Sequence, residues 1–281
     1  MMVKDTVLQL AIRLLAKGRM FPTNLTPQTH VQTLIEQLHP LAPSTPFIRL
    51  GPSGDGGYLV PDDLEGITTC FSPGVGQIAD FEQDCARRGM TVFMADASVE
   101  GPPCPHPAFR FSKRFLGAFT DGQYITLADW VHQSLPPQEN GDLLLQMDIE
   151  GAEYEVILAT PVELLHRFRI IVAEFHHLDQ LWNKWFFLFA SRAIEKLLQT
   201  HACVHIHPNN RRGAVTIGNI TIPRTMEFTF LRRDRLKEHQ FRSDFPHPLD
   251  ADNTTRQALS LPKCWYRSTT SSKNSINQDT I

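Results

Sequence analysis

Short runs of consecutive hydrophobic residues alternate with amphipathic stretches from residue 67 onward. Continuous apolar runs are typical of buried parallel strands, and the stretches between them repeat at helical spacing. The pattern therefore predicts an α/β domain with a mostly parallel sheet. The predicted strands are Ile67–Ser72, Thr91–Asp96, Phe109–Phe111, Asp142–Asp148 and Arg169–Phe175.

The pattern changes near the end of this region. Met226, Phe228 and Phe230 alternate with polar residues, and Val204 and Ile206 do the same between histidines. A period of two is typical of antiparallel strands with one wetter face. We therefore expect an antiparallel pair to close the sheet.

Local signals mark three helices inside the domain. Gly89 suits the left-handed cap of a helix over residues 78–85. Thr126 and Asp129 form a capping box that starts a second helix. The aromatic-rich stretch Leu181–Thr200 predicts a long helix that is buried over much of its surface.

Two further helices are predicted in an N-terminal extension, residues 1–47. The first is amphipathic over residues 7–16, and we interpret it as packing on its own domain, although such a helix can also bind a membrane surface or a partner. The second begins with Thr26 as its N-cap and Pro27 as its first residue.

The main domain is predicted to span residues 48–235, followed by a C-terminal extension over residues 236–281. From about residue 268 the chain is dominated by Ser, Thr, Asn and Gln. Such a composition cannot bury enough apolar surface to order itself, so we expect this tail to be disordered.

Charge and cysteine content narrow the possible partners. The chain has 27 basic and 30 acidic side chains and a net charge of −3, so we predict no nucleic-acid partner. Its five cysteines form no C-x-x-C pair, and an odd number cannot all pair within one chain. We therefore expect a reducing compartment and no structural zinc. No apolar run reaches the length of a membrane span and no signal peptide is recognisable, which predicts a soluble, cytoplasmic protein.

A glycine turn follows the first predicted strand. Ser72, Gly74 and Gly76 lie in the sequence SPGVG, and glycines there allow a tight bend and a close approach to a ligand. Asp96 ends the next strand, where a carboxylate can accept hydrogen bonds from the ribose hydroxyls of an adenosine. The order strand, turn, helix, strand and Asp predicts a site for a nucleoside cofactor.

The same turn also satisfies the dinucleotide-binding fingerprint, because Ala79 follows at the permitted position. A nicotinamide-dependent oxidoreductase is therefore an alternative interpretation. Against it, no second mononucleotide-binding half is evident and the sheet is predicted to end in an antiparallel pair.

Acidic residues follow the fourth predicted strand. The apolar run LLLQM delivers Asp148 and Glu150 to the carboxyl edge of the sheet, where open α/β sheets bind ligands. Carboxylates are also favoured at a helix start, which explains part of this pattern. Asp148 is the candidate to orient or deprotonate an acceptor hydroxyl.

Later strand ends add Glu174, His176 and His207 to the same predicted edge. Together with Asp148 and Glu150 they could bind a divalent metal or supply a general base. No short ligand spacing is present, so we predict no metal site.

With these residues in place, the chain resembles the FkbM-type S-adenosylmethionine-dependent methyltransferases over about residues 48–233. The resemblance is carried by four stretches: RLGPSGDGGYLV at 49–60, SPGVG at 72–76 with Asp96, MDIEGAE at 147–153, and HPNN at 207–210 with the strand at 227–229. It implies a Rossmann-like class I methyltransferase fold, a mostly parallel seven-stranded sheet whose last strand is antiparallel, with helices on both faces.

The resemblance also implies roles for single residues. Ser72, Gly74 and Gly76 would hold the methionine end of S-adenosylmethionine. Asp96 would hold the ribose, and Ala97 would lie near the adenine. Asp148 would face the reacting centre.

One departure is visible at the start of the glycine turn, where class I methyltransferases usually have an acidic residue and this chain has Phe71, Ser72 and Pro73. Either Asp55 or Asp148 would then meet the cofactor ammonium, or cofactor affinity is weakened. Asp55 belongs to the segment DGGY, which we expect to form a flap beside the methionine end.

The expected function is O-methylation of a sugar or secondary-metabolite hydroxyl, so the substrate is a small molecule or a glycan. Asp148, Glu150 and His207 are the catalytic candidates. Besides the oxidoreductase, a non-catalytic module that keeps the fold remains an alternative.

Overall fold

The computed structural model describes residues 12–19 and 22–267. Thirteen strands and six helices are numbered along the chain. The strands are β1 (Phe47–Leu50), β2 (Tyr58–Pro61), β3 (Thr69–Pro73), β4 (Thr91–Ala95), β5 (Phe109–Ser112), β6 (Phe115–Leu116), β7 (Tyr124–Ile125), β8 (Leu143–Met147), β9 (Phe168–Phe175), β10 (His201–Pro208), β11 (Ala214–Ile217), β12 (Ile220–Pro223) and β13 (Met226–Arg232). The helices are α1 (Gln28–Gln37), α2 (Asp80–Arg87), α3 (Leu127–Ser134), α4 (Glu153–Ala159), α5 (Val162–Arg167) and α6 (Lys184–Leu198).

Seven of the strands form one sheet in the order β10-β13-β9-β8-β3-β4-β5. β13 lies between β9 and β10 and is antiparallel to both, while the other neighbours pair in parallel. Six strands therefore share one direction and only the last opposes them. This confirms the predicted Rossmann-like sheet of the class I methyltransferase fold. A dinucleotide-binding sheet has no antiparallel strand at that place.

Strand register brings the ends of the central strands to one edge. Pro73 at the end of β3 pairs with Ala95 of β4, Met147 of β8 pairs with Ala173 of β9, and Met226 of β13 pairs with Phe175 of β9. The residues that follow β3, β4, β8 and β9 consequently lie side by side along the carboxyl edge of the sheet.

Both faces of the sheet are covered. One hydrophobic core lies under α1, α3, α4 and α6, and the other packs α2 and the β1–β2 hairpin against the opposite face. β8 and β9 are buried along their whole length, as their continuous apolar sequences require.

The terminal segments belong to the first of these cores. Val31, Leu34 and Ile35 of α1 and the fully buried Trp265 all pack in it. The indole nitrogen of Trp265 donates a hydrogen bond of 2.9 Å to the carbonyl oxygen of Thr221. The chain after β13 thus covers part of the domain instead of extending away from it.

Most local signals in the sequence correspond to observed features. The five strands predicted first are found within two residues of their expected ends. Gly89 follows α2 with φ +85°, and the Thr126 side chain accepts a hydrogen bond from the Asp129 amide at the start of α3. None of the described helices is both long enough and apolar enough to cross a membrane.

The predicted N-cap of the second helix is wrong by one residue. Pro27, with φ −54° and ψ 134°, occupies the cap position, and the Thr26 hydroxyl is buried with no hydrogen-bond partner in the described part of the chain. Residues 12–17 are helical. The rest of the first predicted helix, and the tail from residue 268, lie outside the described residues.

An ion cluster fastens the sheet at the edge opposite its carboxyl ends. Asp142 accepts hydrogen bonds from the guanidinium of Arg232 and, at 2.7 Å, from Nε of Arg169. Arg169 also donates to the carbonyl oxygens of Asp63 and Glu65. Desolvation opposes ionisation of Asp142, but the two arginines outweigh it and hold the pKa of this carboxyl below its ordinary value.

Asp142→Asn is expected to lower the free energy of unfolding by about 1–3 kcal/mol at pH 7, because two largely buried guanidiniums lose the carboxylate they share and keep only one each among the described residues, Asp63 for Arg169 and Asp234 for Arg232. Since the folded-state pKa is depressed, the contribution is complete above the ordinary carboxyl pKa near 4 and is lost as the pH falls below it. Urea unfolding of the unchanged protein and of Asp142→Asn between pH 7 and 3 should show the difference between their free energies of unfolding becoming smaller. Asp62→Asn, a change at an exposed acid, is the control, and a gap independent of pH would contradict the account.

Candidate active site

The glycine turn after β3 is packed backbone against backbone. Gly74 has φ +87°, and its amide donates a hydrogen bond of 3.0 Å to the Ala95 carbonyl oxygen. A Cβ atom added at Gly74 would lie 1.8 Å from the carbonyl oxygen of Asp148. A Cβ atom added at Gly76 would meet no described atom within 4 Å. Gly74 is therefore required by the fold, whereas Gly76 faces open space.

Asp96 holds this turn in place. One carboxylate oxygen accepts from the Val75 amide at 2.9 Å, and the other accepts from the amide and hydroxyl of Ser98 at 2.7 and 2.6 Å. A carboxylate offers about four acceptor positions, so one is left for a ligand hydroxyl. Ala97 is half-buried, outside the cavity walls that contain Asp96 and Ser98.

Two adjoining cavities open at this edge. The first, of about 490 Å³, is lined among others by Asp55, Tyr58, Asp80, Glu82, Gln146 and Arg211. The second, of about 400 Å³, is lined among others by Asp96, Ser98, Phe115, Leu116, Tyr124 and Ile149. Gly74 and Asp148 are common to both walls. The contact between the two turns thus separates one polar compartment from one largely apolar compartment.

The first cavity is acidic. Asp55, Asp80, Glu82 and Asp148 all contribute to its wall, against the single arginine Arg211. Asp55 and Asp80 are exposed, whereas Glu82 is buried. The electrostatics of this wall favour a cationic group.

Ser72 lies beneath the cavity and not in its wall. Its hydroxyl is fully buried, within hydrogen-bonding distance of Glu82 and 2.7 Å from Oε1 of Gln146. Gln146 in turn donates to the Tyr58 hydroxyl at 3.3 Å. Burial raises the pKa of Glu82, and the Ser72 contact opposes that shift. The sequence prediction missed Glu82, which stands beside the position where the resemblance expects an acid.

The predicted flap is a clamped loop beside the first cavity. The guanidinium of Arg49 donates to the carbonyl oxygens of Pro52 at 2.6 Å and Gly54 at 2.8 Å. A Cβ atom at Gly57 would lie 2.0 Å from the Pro52 carbonyl oxygen, so this glycine is needed for the loop to close on itself. The loop places Asp55 in the cavity wall.

A strained turn follows β8. Glu150 has φ +56°, a left-handed conformation that side chains other than glycine rarely adopt. One carboxylate oxygen of Glu153, a fully buried residue of α4, accepts from the amides of Ile149 and Gly151, each at 3.1 Å. These bonds fix the backbone that carries Asp148.

His176, just after β9, lies among four carboxylates. Its Nδ1 is 3.1 Å from Glu153 Oε1. Its Nε2 is 3.8 Å from Asp148 Oδ1, 3.7 Å from Glu174 Oε1 and 3.6 Å from Glu150 Oε2. The predicted convergence of the acids on this histidine is therefore observed.

The acids around His176 shift the pKa values of one another and of the histidine. Desolvation raises the pKa of Asp148 to about 7, helped by Glu153 and Glu150 and opposed by His176. Desolvation and Asp148 also raise the pKa of Glu174. Desolvation would lower the pKa of His176, but the bond to Glu153 and the nearby acids raise it above its ordinary value.

His207 does not join the cluster, contrary to the prediction. It lies on β10 opposite Glu227, with Nδ1 at 3.7 Å from Asp250, and lines a separate cavity of about 190 Å³. Because β13 is inserted between β9 and β10, His207 is displaced by about two strand spacings, roughly 10 Å, from the end of β9.

Comparison with family models and with curated proteins found no match. Among solved structures, the chain is similar to TrmN from Thermus thermophilus, with 13% identity and a TM-score of 0.30 over 59% of this chain and 44% of that one. It is also similar to the 23S rRNA methyltransferase ErmE, with 10% identity and a TM-score of 0.34 over 78% of this chain and 72% of that one. The chain thus spans less than half the length of TrmN. The fold assignment depends on the strand order of the sheet, and membership of the FkbM-type family is not established.

The prediction that nucleic acid is excluded as a partner is wrong. A 23S rRNA methyltransferase is among the similar structures, which conflicts with that prediction. Net charge averages over the whole surface, whereas contacts to phosphates are local. Here one groove is lined by four arginines, Arg211, Arg212, Arg224 and Arg256.

Gly74→Ala is expected to lower the free energy of unfolding by about 3 kcal/mol or more, because the new Cβ atom clashes with the Asp148 carbonyl and φ is unfavourable. Gly76→Ala, two residues away, should change it by less than about 1 kcal/mol. Urea denaturation of the two variants measures the difference. Equal effects would show that the two turns are not in the contact described.

Proposed function

We propose that this chain is an S-adenosylmethionine-dependent methyltransferase. The observation that carries the proposal is the pair of cavities that meet at Gly74 and Asp148, one acidic and one largely apolar with the carboxylates Asp96, Asp148 and Glu150 in its wall. S-adenosylmethionine has the matching polarity, with an ammonium and a sulfonium at one end and an adenosine at the other.

The methionine end fits the acidic cavity. Glu82 and the rim residue Asp55 would meet the ammonium, and Arg211 is placed to meet the carboxylate. A cation beside Glu82 would also favour the ionised form of this buried acid. Gly76 leaves space for the chain of the ligand to pass close to the turn.

The adenosine end fits the second cavity. Asp96 has one acceptor position left for the ribose hydroxyls. Phe115, Leu116 and Tyr124 offer apolar and aromatic surface to the base. Ala97 follows Asp96 directly and remains a candidate neighbour of the adenine.

Asp148 would act on the acceptor. When bound, the cofactor supplies a methyl carbon activated by the sulfonium. The Asp148 carboxylate would accept a hydrogen bond from the acceptor hydroxyl and take its proton as the hydroxyl oxygen is methylated. Holding the reactants in line can contribute ~7–11 kcal/mol, and a positioned base about 10²–10⁴-fold in rate.

The same arrangement supports a proposal for the acceptor class. Alcohol hydroxyls are weak acids, so an enzyme that methylates them benefits from a carboxylate at the reacting centre. We therefore propose O-methylation of a hydroxyl on a sugar or secondary metabolite, with Glu150 as a further candidate at the rim of the cluster. We do not include His207 in this proposed centre, because β13 separates its strand β10 from β9.

Cofactor identity can be tested by isothermal titration calorimetry with S-adenosylhomocysteine and with NADH. We expect binding of the first only. Binding of NADH alone would favour the nicotinamide-dependent alternative. Binding of neither by the folded chain would favour a non-catalytic module.

The orientation of the cofactor can be tested with two ligands and two variants. Asp96→Ala should weaken both S-adenosylhomocysteine and 5′-methylthioadenosine at least tenfold. Glu82→Gln should weaken only S-adenosylhomocysteine, because 5′-methylthioadenosine lacks the amino-acid end.

Glu100→Ala, a change at an exposed acid four residues after Asp96, is the control and should leave both affinities unchanged. Thermal unfolding of each variant separates lost contacts from lost structure. Equal loss of both ligands in Glu82→Gln would contradict the proposed orientation.

A further inference from the structure

We propose that Asp148, Glu174 and His176 form a binding site for a divalent metal ion at the boundary of the two cavities. The ligand atoms of these three residues all lie within 4.8 Å of one another. His176 Nε2 is 3.8 Å from Asp148 Oδ1 and 3.7 Å from Glu174 Oε1. The ligands come from the ends of the neighbouring strands β8 and β9.

These separations suit a shared ion. Ligand bonds of about 2.1 Å at angles of 90–120° place neighbouring ligand atoms about 3.0–3.6 Å apart. His176 Nε2 would need to approach each of the two carboxylate oxygens by only a few tenths of an ångström. Direct hydrogen bonds between the same atoms would be shorter, at about 2.7–3.2 Å, and are not formed.

Ligand atoms without partners point to the ion independently. Glu174 is only 4% exposed and its Oε2 has no hydrogen-bond partner among the described residues. The same holds for the buried Oδ1 of Asp148. Burying carboxylate oxygens without donors is costly, and a bound cation would remove that cost. Asn209 donates at 3.0 Å to Oε1 of Glu174, the oxygen that lies 3.7 Å from His176 Nε2, and so fixes the carboxylate with Oε2 left for the ion.

Glu153 already holds the histidine in the orientation of a ligand. Glu153 accepts at 3.1 Å from Nδ1 of His176, which directs Nε2 toward Asp148 and Glu174. Histidine ligands in metal sites commonly use their second nitrogen in this way. Glu153 is itself fixed by two backbone amides, so this support is rigid before any ion binds.

The remaining positions of such an ion would face the cavities, because the Asp148 side chain is 33% exposed and lines both of them. A mixed histidine and carboxylate set favours Mn²⁺, Fe²⁺ or Zn²⁺ over Mg²⁺. The prediction of no metal site depended on the absence of a short ligand motif. Such a motif is absent because the ligands come from two separate strand ends. Binding of the ion does not depend on the proposed function. Its use to orient an acceptor oxygen does.

The test measures Mn²⁺ binding to the chelator-treated full chain, without cofactor, by calorimetry and by electron paramagnetic resonance. We expect one site. His176→Gln and Glu174→Gln should each weaken binding at least tenfold, and Glu153→Gln about 10–100-fold through the orientation of the histidine. His166→Gln, a change at an exposed histidine, is the matched control and should leave the affinity unchanged.

Asp148→Asn is added as a variant that is expected to fold even where the others fail. The Asp148 side chain is partly exposed and makes no hydrogen bond through Oδ1 to the described residues. This variant should lose Mn²⁺ affinity, and the rise in Tm that Mn²⁺ gives the unchanged protein should disappear. No binding by the unchanged protein, or equal binding by all variants, would overturn the metal site. If the unchanged protein binds Mn²⁺ but does not bind S-adenosylhomocysteine, only the proposed function is overturned.

Discussion

The contact between the turns after β3 and β8 is the constraint on which the site depends. Gly74 has no side chain, which lets the carbonyl of Asp148 approach its Cα more closely than any other residue would allow. The same contact brings the glycine turn, the Asp96 carboxylate and Asp148 within one short span of the sheet edge. It also divides the space above the edge into an acidic and an apolar compartment.

The buried acids at this edge fall into two groups that differ in how their charge is accommodated. Glu153 accepts from two backbone amides and from His176, and Glu82 contacts the Ser72 hydroxyl, so both have partners within the fold. Asp148 Oδ1 and Glu174 Oε2 are buried without donors among the described residues, as is Oε2 of Glu153, although Oε1 of Glu153 has three contacts. Since burial without partners is costly, the bonded oxygens stabilise the site, and the oxygens of Asp148 and Glu174 beside His176 leave capacity for a ligand.

Much of the fold follows from local sequence. β8 and β9 are apolar without interruption because both faces of the sheet are covered, and Thr126 and Gly89 mark helix ends through contacts a few residues away. Other features depend on distant contacts that have no local signal. At the start of α1, the Thr26 amide donates to the distant carbonyl of Trp182 at 2.9 Å, and Pro27 takes the cap position.

The same distinction between local signals and distant contacts explains which parts of the site could be predicted. Asp148 and Glu174 end apolar strands, so their common edge could be predicted from periodicity alone. His176 and His207 carry the same signal, a histidine at or just beyond a strand end, yet only His176 reaches the centre, because sheet order and not sequence decides which strands are neighbours. Glu82 gave no signal, since an acid in the first turn of a helix is favoured anyway by the helix dipole. Its burial beside Ser72 is what distinguishes it, and burial of a single helical side chain is set by the packing of α2 on the sheet.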